Sequence, residues 1–173
     1  MLDRPSPYDS LKTVPALTVT SDDLDNGGVM PLAQVHDSAG GDNVSPQLSW
    51  SGAPDGTRAF AVTLYDPDAP TVSGFWHWQL TGLPASTTSL AGGAGAAGAI
   101  DGVLRGRNDF GSDSYGGAAP PPGDGAHRYI FAVSALDTDD LGLDESAGTA
   151  FTSFAIEAHT IARGLLTVTY ERK

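Results

Sequence analysis

The sequence predicts a mostly β protein, and three features carry that prediction. Glycine (22) and proline (12) are abundant in the 173 residues. The apolar residues fall in short runs between Gly, Pro and Asp clusters, the pattern of short strands joined by turns and long loops. One run, Ala59–Tyr65, is almost wholly apolar, as a strand covered on both faces would be.

In chain order, residues 1–16 read as an N-terminal arm and 17–173 as a single domain, long enough to bury a sizeable core without staples. Candidate strands are Ala16–Thr20, Leu48–Ser51, Ala59–Tyr65, His77–Gly82, Tyr129–Leu136 and Leu165–Tyr170. In the last, Leu166, Val168 and Tyr170 alternate with Thr167, Thr169 and Glu171, which predicts one buried and one wet face. Thr149–Arg163 reads as an amphipathic helix, with Phe151, Phe154, Ala155, Ala158, Ile161 and Ala162 on one stripe. Thr149 would cap its start and Gly164 would stop it, with Arg163 against the last carbonyls. A second helix is expected near Asp144. Residues 86–125 form a long Gly/Ala/Ser/Pro stretch with aromatic anchors, and we read it as an ordered binding loop.

Composition excludes several classes. No cysteine is present, so disulfides, thiolate metal sites and thiol catalysis are ruled out. The net charge is −12, and the only lysines are Lys12 and Lys173, which argues against nucleic acid or an anionic membrane as partner. No apolar run approaches the ~18–20 residues of a membrane span, and the first residues show no apolar signal core. The chain is therefore expected to be cytoplasmic, without stable membrane insertion.

Gly93-x-Gly95-x-x-Gly98 matches the dinucleotide fingerprint in letters only. No strand precedes it and no helix follows, so it reads as a Gly/Ala turn. Phosphate-loop, HExxH and GxSxG motifs are absent. Of the four histidines, His159 reads as a packing or hydrogen-bonding residue on the helix, and His36 carries little signal. His77 and His127 each stand at a predicted strand start. His77 lies in Phe75-Trp76-His77-Trp78, and His127 opens His127-Arg128-Tyr129 behind Pro120-Pro121-Pro122-Gly123. Asp66-Pro67-Asp68-Ala69-Pro70 ends the buried strand, and its two prolines stiffen the turn as a preformed site requires.

Together with Ser45-Pro46-Gln47-Leu48-Ser49-Trp50, Gly106-Arg107-Asn108-Asp109-Phe110-Gly111 and Tyr115-Gly116-Gly117, these blocks resemble the phosphatidylethanolamine-binding protein family. More narrowly they resemble its bacterial, Raf-kinase-inhibitor-like branch, over about Leu17 to Arg172. The resemblance implies a large central antiparallel sheet packed with a smaller sheet, and one or two helices near the C-terminus. It also implies a small cavity for phosphate, acetate or a phosphorylated headgroup. By motif position, Asp66 and His77 face the anion and Tyr129 offers its hydroxyl. The backbone from Gly117 to Ala119 supplies N–H donors, Pro121 and Trp76 shape the walls, and His127 lies at the rim or beneath. Two departures stand out. Trp76 occupies a place held by histidine in the eukaryotic branch, and Ala118-Ala119 stands where the family often has proline.

An anion beside Asp66 poses a charge problem, since two like charges at contact repel by about 4 kcal/mol at an effective dielectric near 20. Either Asp66 shares a proton with the ligand, or a protonated His77 lies between them; both make binding pH-dependent. Asp68 is expected to pair with Arg128 as structural support, or else to cap turn N–H groups itself. The resulting reading is a non-enzymatic, cofactor-free binding module for phosphate, phosphorylated headgroups or phosphorylated side chains. A kinase or protease would be its possible protein target, and homodimers are expected. Two alternatives stay open. One is a hydrolase, with Asp66, Asp68, His77 and His127 around a metal or with Asp66 and His77 as acid and base. The other is an interaction scaffold with no small ligand.

Overall fold

The computed structural model describes residues 4–173. In chain order its elements are β1 (Thr18–Thr20), β2 (Leu48–Ser51), β3 (Ala59–Asp66), β4 (Phe75–Pro84), β5 (Ser89–Leu90), β6 (Leu104–Gly106), β7 (Ala126–Leu136), α1 (Thr149–His159) and β8 (Thr160–Glu171). Five strands form a large sheet in the order β6-β4-β3-β7-β8, and three form a small sheet in the order β1-β2-β5. Every pairing within both sheets is antiparallel.

The central strand β3 shows why its sequence is apolar throughout. Phe60, Val62 and Leu64 point into the main core, where they meet Leu48 and Trp50 of the small sheet. Ala59 and Ala61 point the other way, into a second cluster with Leu136 and Ile156 of α1. A strand covered by a sheet on one side and a helix on the other has no wet face. In β8, Leu166 and Val168 are buried while Thr167 and Thr169 are only partly covered, the alternation expected of it. No helix among the described residues is long and apolar enough to cross a membrane.

Three elements depart from the sequence reading. The helix stops at His159, and the chain passes directly into β8 at Thr160. Thr149 is inside the helix and Gly148 takes the N-cap position. Thr160-Ile161 begins a β-branched alternation, and Arg163 pairs through its backbone with Pro15 and Leu17, so tertiary pairing overrides the helical stripe. Phe151 and Phe154 therefore face solvent, at 58% and 68% exposure, and the helix buries Thr152, Ala155 and Ile156 instead. Gly164 is no helix stop; a Cβ there would lie 2.7 Å from the Leu17 carbonyl oxygen, so glycine is needed for strand approach. No helix forms at Asp144, whose carboxylate instead accepts from the Ser146 N–H in a turn.

Residues 86–125 include β5 and β6, and the rest is turns held by specific bonds. The Tyr115 hydroxyl donates to the Gln34 carbonyl at 2.7 Å, and Val35 bridges Ala118. A Cβ on Gly117 would lie 2.6 Å from the Val35 carbonyl carbon. Glycine there reflects close backbone approach.

Candidate functional site

The end of β3, the starts of β4 and β7, and the turns after β3 and before β7 enclose a cavity of about 210 Å³. Asp66, His77, His127 and Tyr129 bring its polar groups, and Phe75, Phe110, Pro70 and Pro121 are among its apolar walls. A bulge aims the histidine. The register runs from Leu64 opposite Trp78 to Tyr65 opposite Trp76, so His77 has no partner in β3. That extra residue turns both His77 and Trp78 toward the small-sheet side, Trp78 into the core and His77 into the cavity.

His77 is fixed in one tautomer. Its Nδ1 lies 2.9 Å from the Gly116 carbonyl and 3.0 Å from the Gly117 carbonyl. Carbonyls only accept, so Nδ1 carries the proton and Nε2 is left as an acceptor for the cavity. Burial pushes this imidazole down to about 4, only partly offset by the two carbonyls. At neutral pH the ring is uncharged. That removes the imidazolium from the two routes by which an anion could sit beside Asp66.

Asp66 is buried. One oxygen accepts from the Asp68 N–H at 2.8 Å, and the other meets His127 Nδ1 at 2.8 Å. Burial raises its pKa above the ordinary carboxylate value, against the hydrogen bond and charge of His127. The other ring nitrogen of His127, Nε2, lies 3.1 Å from Asp124. The Tyr129 hydroxyl is buried next to the Asp66 carboxyl and the Ala119 backbone, near enough to feel both but without a well-aligned hydrogen bond to either. Burial and the neighbouring Asp66 hold this phenol far from ionisation.

Asp68 and Arg128 form a two-pronged pair beneath the turn. Arg128 Nε donates to Asp68 Oδ2 at 2.7 Å and Nη2 donates to Oδ1 at 2.9 Å. Arg4 adds a third contact at 2.9 Å, and Arg128 Nη1 donates to the Arg4 and Pro5 carbonyls, which ties the N-terminal arm to the pair. Burial alone would raise the Asp68 pKa, but the bonds from Arg128 and Arg4 outweigh it and hold the carboxyl at about 2.

Of the residues singled out in the sequence, Asp66, His77, Ala119, Pro121, His127 and Tyr129 line the cavity together. Two others do not. Trp76 lies on the opposite face, its ring 4.4 Å from that of Tyr65 in a hollow with Tyr8 and Glu157, because alternation holds between Trp76 and His77 and is broken by the bulge only between His77 and Trp78. Phe75 takes the wall position instead; counting two back from His77 would have found it. The Gly117 N–H is spent on Asn43 Oδ1 at 2.7 Å, and Gly117 serves through its carbonyl on His77. Three supporting residues were not singled out: Asn43, Asn108 and Asp124. Asn108 donates to the Ser114 carbonyl at 2.8 Å and the His77 carbonyl at 3.3 Å, holding the loop against β4. His36 also joins the periphery, stacking on Phe110 at 4.5 Å. Among the described residues, no three His, Asp or Glu side chains converge to hold a metal ion, since Asp68 is turned to Arg128 and away from the cavity.

Comparison with known proteins places this architecture. The family model described as phosphatidylethanolamine-binding protein matches residues 20–171. The chain is 45% identical over 158 residues to the UPF0098 protein YbhB of Escherichia coli, covering 89% of this chain and 99% of that one. It is 43% identical over 163 residues to YbcL of the same organism, covering 91% and 89%. The crystal structure of E. coli YbcL, described as a new member of the mammalian PEBP family, superposes with a TM-score of 0.87 at 42% identity, over 91% of this chain and 99% of that one. With both sheets, the C-terminal helix and nearly the whole length accounted for, the chain belongs to the phosphatidylethanolamine-binding protein family.

Proposed function

We propose that this protein is a binding protein whose cavity takes a small phosphorylated group in its protonated, monoanionic form, without turning it over. One observation carries the reading: the cavity wall offers a buried hydroxyl, Tyr129, that makes no well-aligned hydrogen bond to its neighbours Asp66 and Ala119, beside a histidine nitrogen bare of its proton. Buried polar groups are normally paired, and an orphan facing a cavity is a place for a ligand atom. His77 Nε2 and Asp66 accept, so the ligand must bring at least one proton of its own. A singly protonated phosphate does so, and its oxygens can accept from Tyr129. The cavity volume suits a headgroup-sized ligand and is below the range of drug-sized molecules. The Tyr129 phenol is held far from ionisation and is not poised as a nucleophile. The family's name, which refers to a phosphorylated lipid headgroup, supports the same chemistry; a phosphorylated side chain of a protein target presents it too.

Calorimetry with inorganic phosphate and with O-phosphoethanolamine tests the reading. Both are expected to bind at pH 6. Since phosphate monoesters lose their second proton near pH 6, affinity is expected to fall by about tenfold per pH unit once well above it. Tyr129→Phe is expected to weaken binding by about 1 kcal/mol, the net worth of one hydrogen bond. Flat affinity from pH 5.5 to 8, or no binding at all, would count against the proposal.

A further inference from the structure

Resting on the reading of the cavity as an anion pocket, we propose that Asp124, His127 and Asp66 form a proton relay that carries negative charge out of the pocket when an anion enters. Both ring nitrogens of His127 meet carboxylate oxygens, Asp66 at 2.8 Å and Asp124 at 3.1 Å. Each contact needs a proton, and a neutral imidazole has only one. The triad therefore holds a second proton, on His127 or on one of the carboxyls. The two carboxyls differ sharply in setting. The Asp66 side chain is 3% exposed and lines the cavity, whereas that of Asp124 is 41% exposed and does not.

With the proton on His127, an imidazolium lies between two carboxylates and the triad carries −1. When an anion approaches Asp66, the proton on Nδ1 crosses to Asp66 Oδ2. The Nδ1–H bond breaks, the O–H bond forms, and Nε2–H stays where it is, donated to Asp124. His127 and Asp66 are then both neutral. The charge of −1 is unchanged in sum but rests on Asp124, in contact with water, where a charge is least costly. No heavy atom needs to move. The elevated proton affinity of buried Asp66 favours the transfer.

No other charged group facing the triad does this work. Asp68 is bound by Arg128 and Arg4. His77, from β4, uses its one proton on the Gly116 and Gly117 carbonyls. Tyr129 neighbours Asp66 as an un-ionised phenol. From β8, Tyr170 stands opposite His127 and Glu171 opposite Ala126. Among the described residues, His127 is the one cation-forming side chain within ion-pair distance of Asp66. Asp124 is thus a positioning residue: it reaches the ligand only through His127.

Nitrogen NMR of histidine-labelled wild-type protein, titrated with inorganic phosphate at pH 6.5, reads the relay directly. His127 is expected to pass from a doubly protonated ring to the neutral form protonated at Nε2 as phosphate saturates. Asp124→Asn keeps a side chain able to donate to Nε2 but removes the charge. It is expected to leave His127 neutral throughout and to weaken phosphate binding by about tenfold, the equivalent of one pKa unit of coupling. Asp124→Glu is expected to restore both signals. A purely structural role for Asp124 would shift the melting temperature and leave the protonation of His127 untouched. If wild type binds phosphate while His127 does not change, or if Asp124→Asn binds with wild-type affinity and pH profile, the relay is overturned and the pocket reading stands. If wild type binds neither phosphate nor O-phosphoethanolamine, the pocket reading falls and takes the relay with it.

Discussion

Asp66 and Asp68 stand two positions apart in one turn and have opposite electrostatic fates. Asp68 is held low, at about 2, by Arg128 and Arg4, whereas burial raises Asp66. The consequences for stability run in opposite directions. A depressed carboxyl stabilises the fold above its unfolded value, near 3.9, and loses that contribution as pH falls toward about 2. A raised one contributes below the unfolded value and loses that contribution as pH rises through its folded value. Asp68→Asn leaves Arg128 without its anion and is expected to cost about 3 kcal/mol at pH 7 by urea denaturation, a deficit that shrinks below pH 4. An equal deficit at pH 7 and pH 3 would show that the ion pair is not its source. The need of Asp68 for a charge partner is legible from two acids two residues apart in a stiff turn, whereas Arg128, sixty residues on, is brought to it by the fold. Trp76 was misplaced because a side chain's face depends on strand register, which residue types do not state.

At His159 and Thr160 the helix passes into a strand with no intervening loop. The apolar stripe over Thr149–Arg163 is present in the sequence, yet only its first part is helical. Two faces compete: Phe151 and Phe154 on one, Ala155 and Ile156 on the other. Ile156 wins burial because it fits over the small side chains Ala59 and Ala61 of β3, and a phenylalanine pair would not lie so close to the sheet. Ile156→Ala is therefore expected to destabilise by about 2–4 kcal/mol, and Phe151→Ala by less than about 0.5 kcal/mol, both measured by chemical denaturation. The reverse order would show that the helix packs through its phenylalanines. Apolar runs locate the strand cores but not the strand ends. β4 begins at Phe75 and β7 at Ala126, each starting before its histidine, because pairing with neighbouring strands extends them past the apolar run.

For the whole molecule, the net charge of −12 sets the field through which any anion approaches. The cavity has no basic patch to counter it; the guanidinium of Arg128 is spent on Asp68 and the arm. Salt screens such repulsion over a Debye length of about 10 Å at 0.1 M. The association rate of inorganic phosphate is accordingly expected to rise severalfold between about 10 and 200 mM salt, measured by stopped flow, where a basic site would show a fall. The strand-rich composition, the doubly buried strand at Ala59–Tyr65 and the stiff Asp66–Pro70 turn are legible in the sequence alone. Each of these is a local property of pattern, spacing or backbone restriction. That Phe75 and not Trp76 walls the cavity, that the Gly117 N–H is occupied by Asn43, and that Asp124 reaches His127 follow from packing alone. Those facts depend on a bulge, a close backbone approach and a contact between side chains, and each arises only when separate segments are packed together.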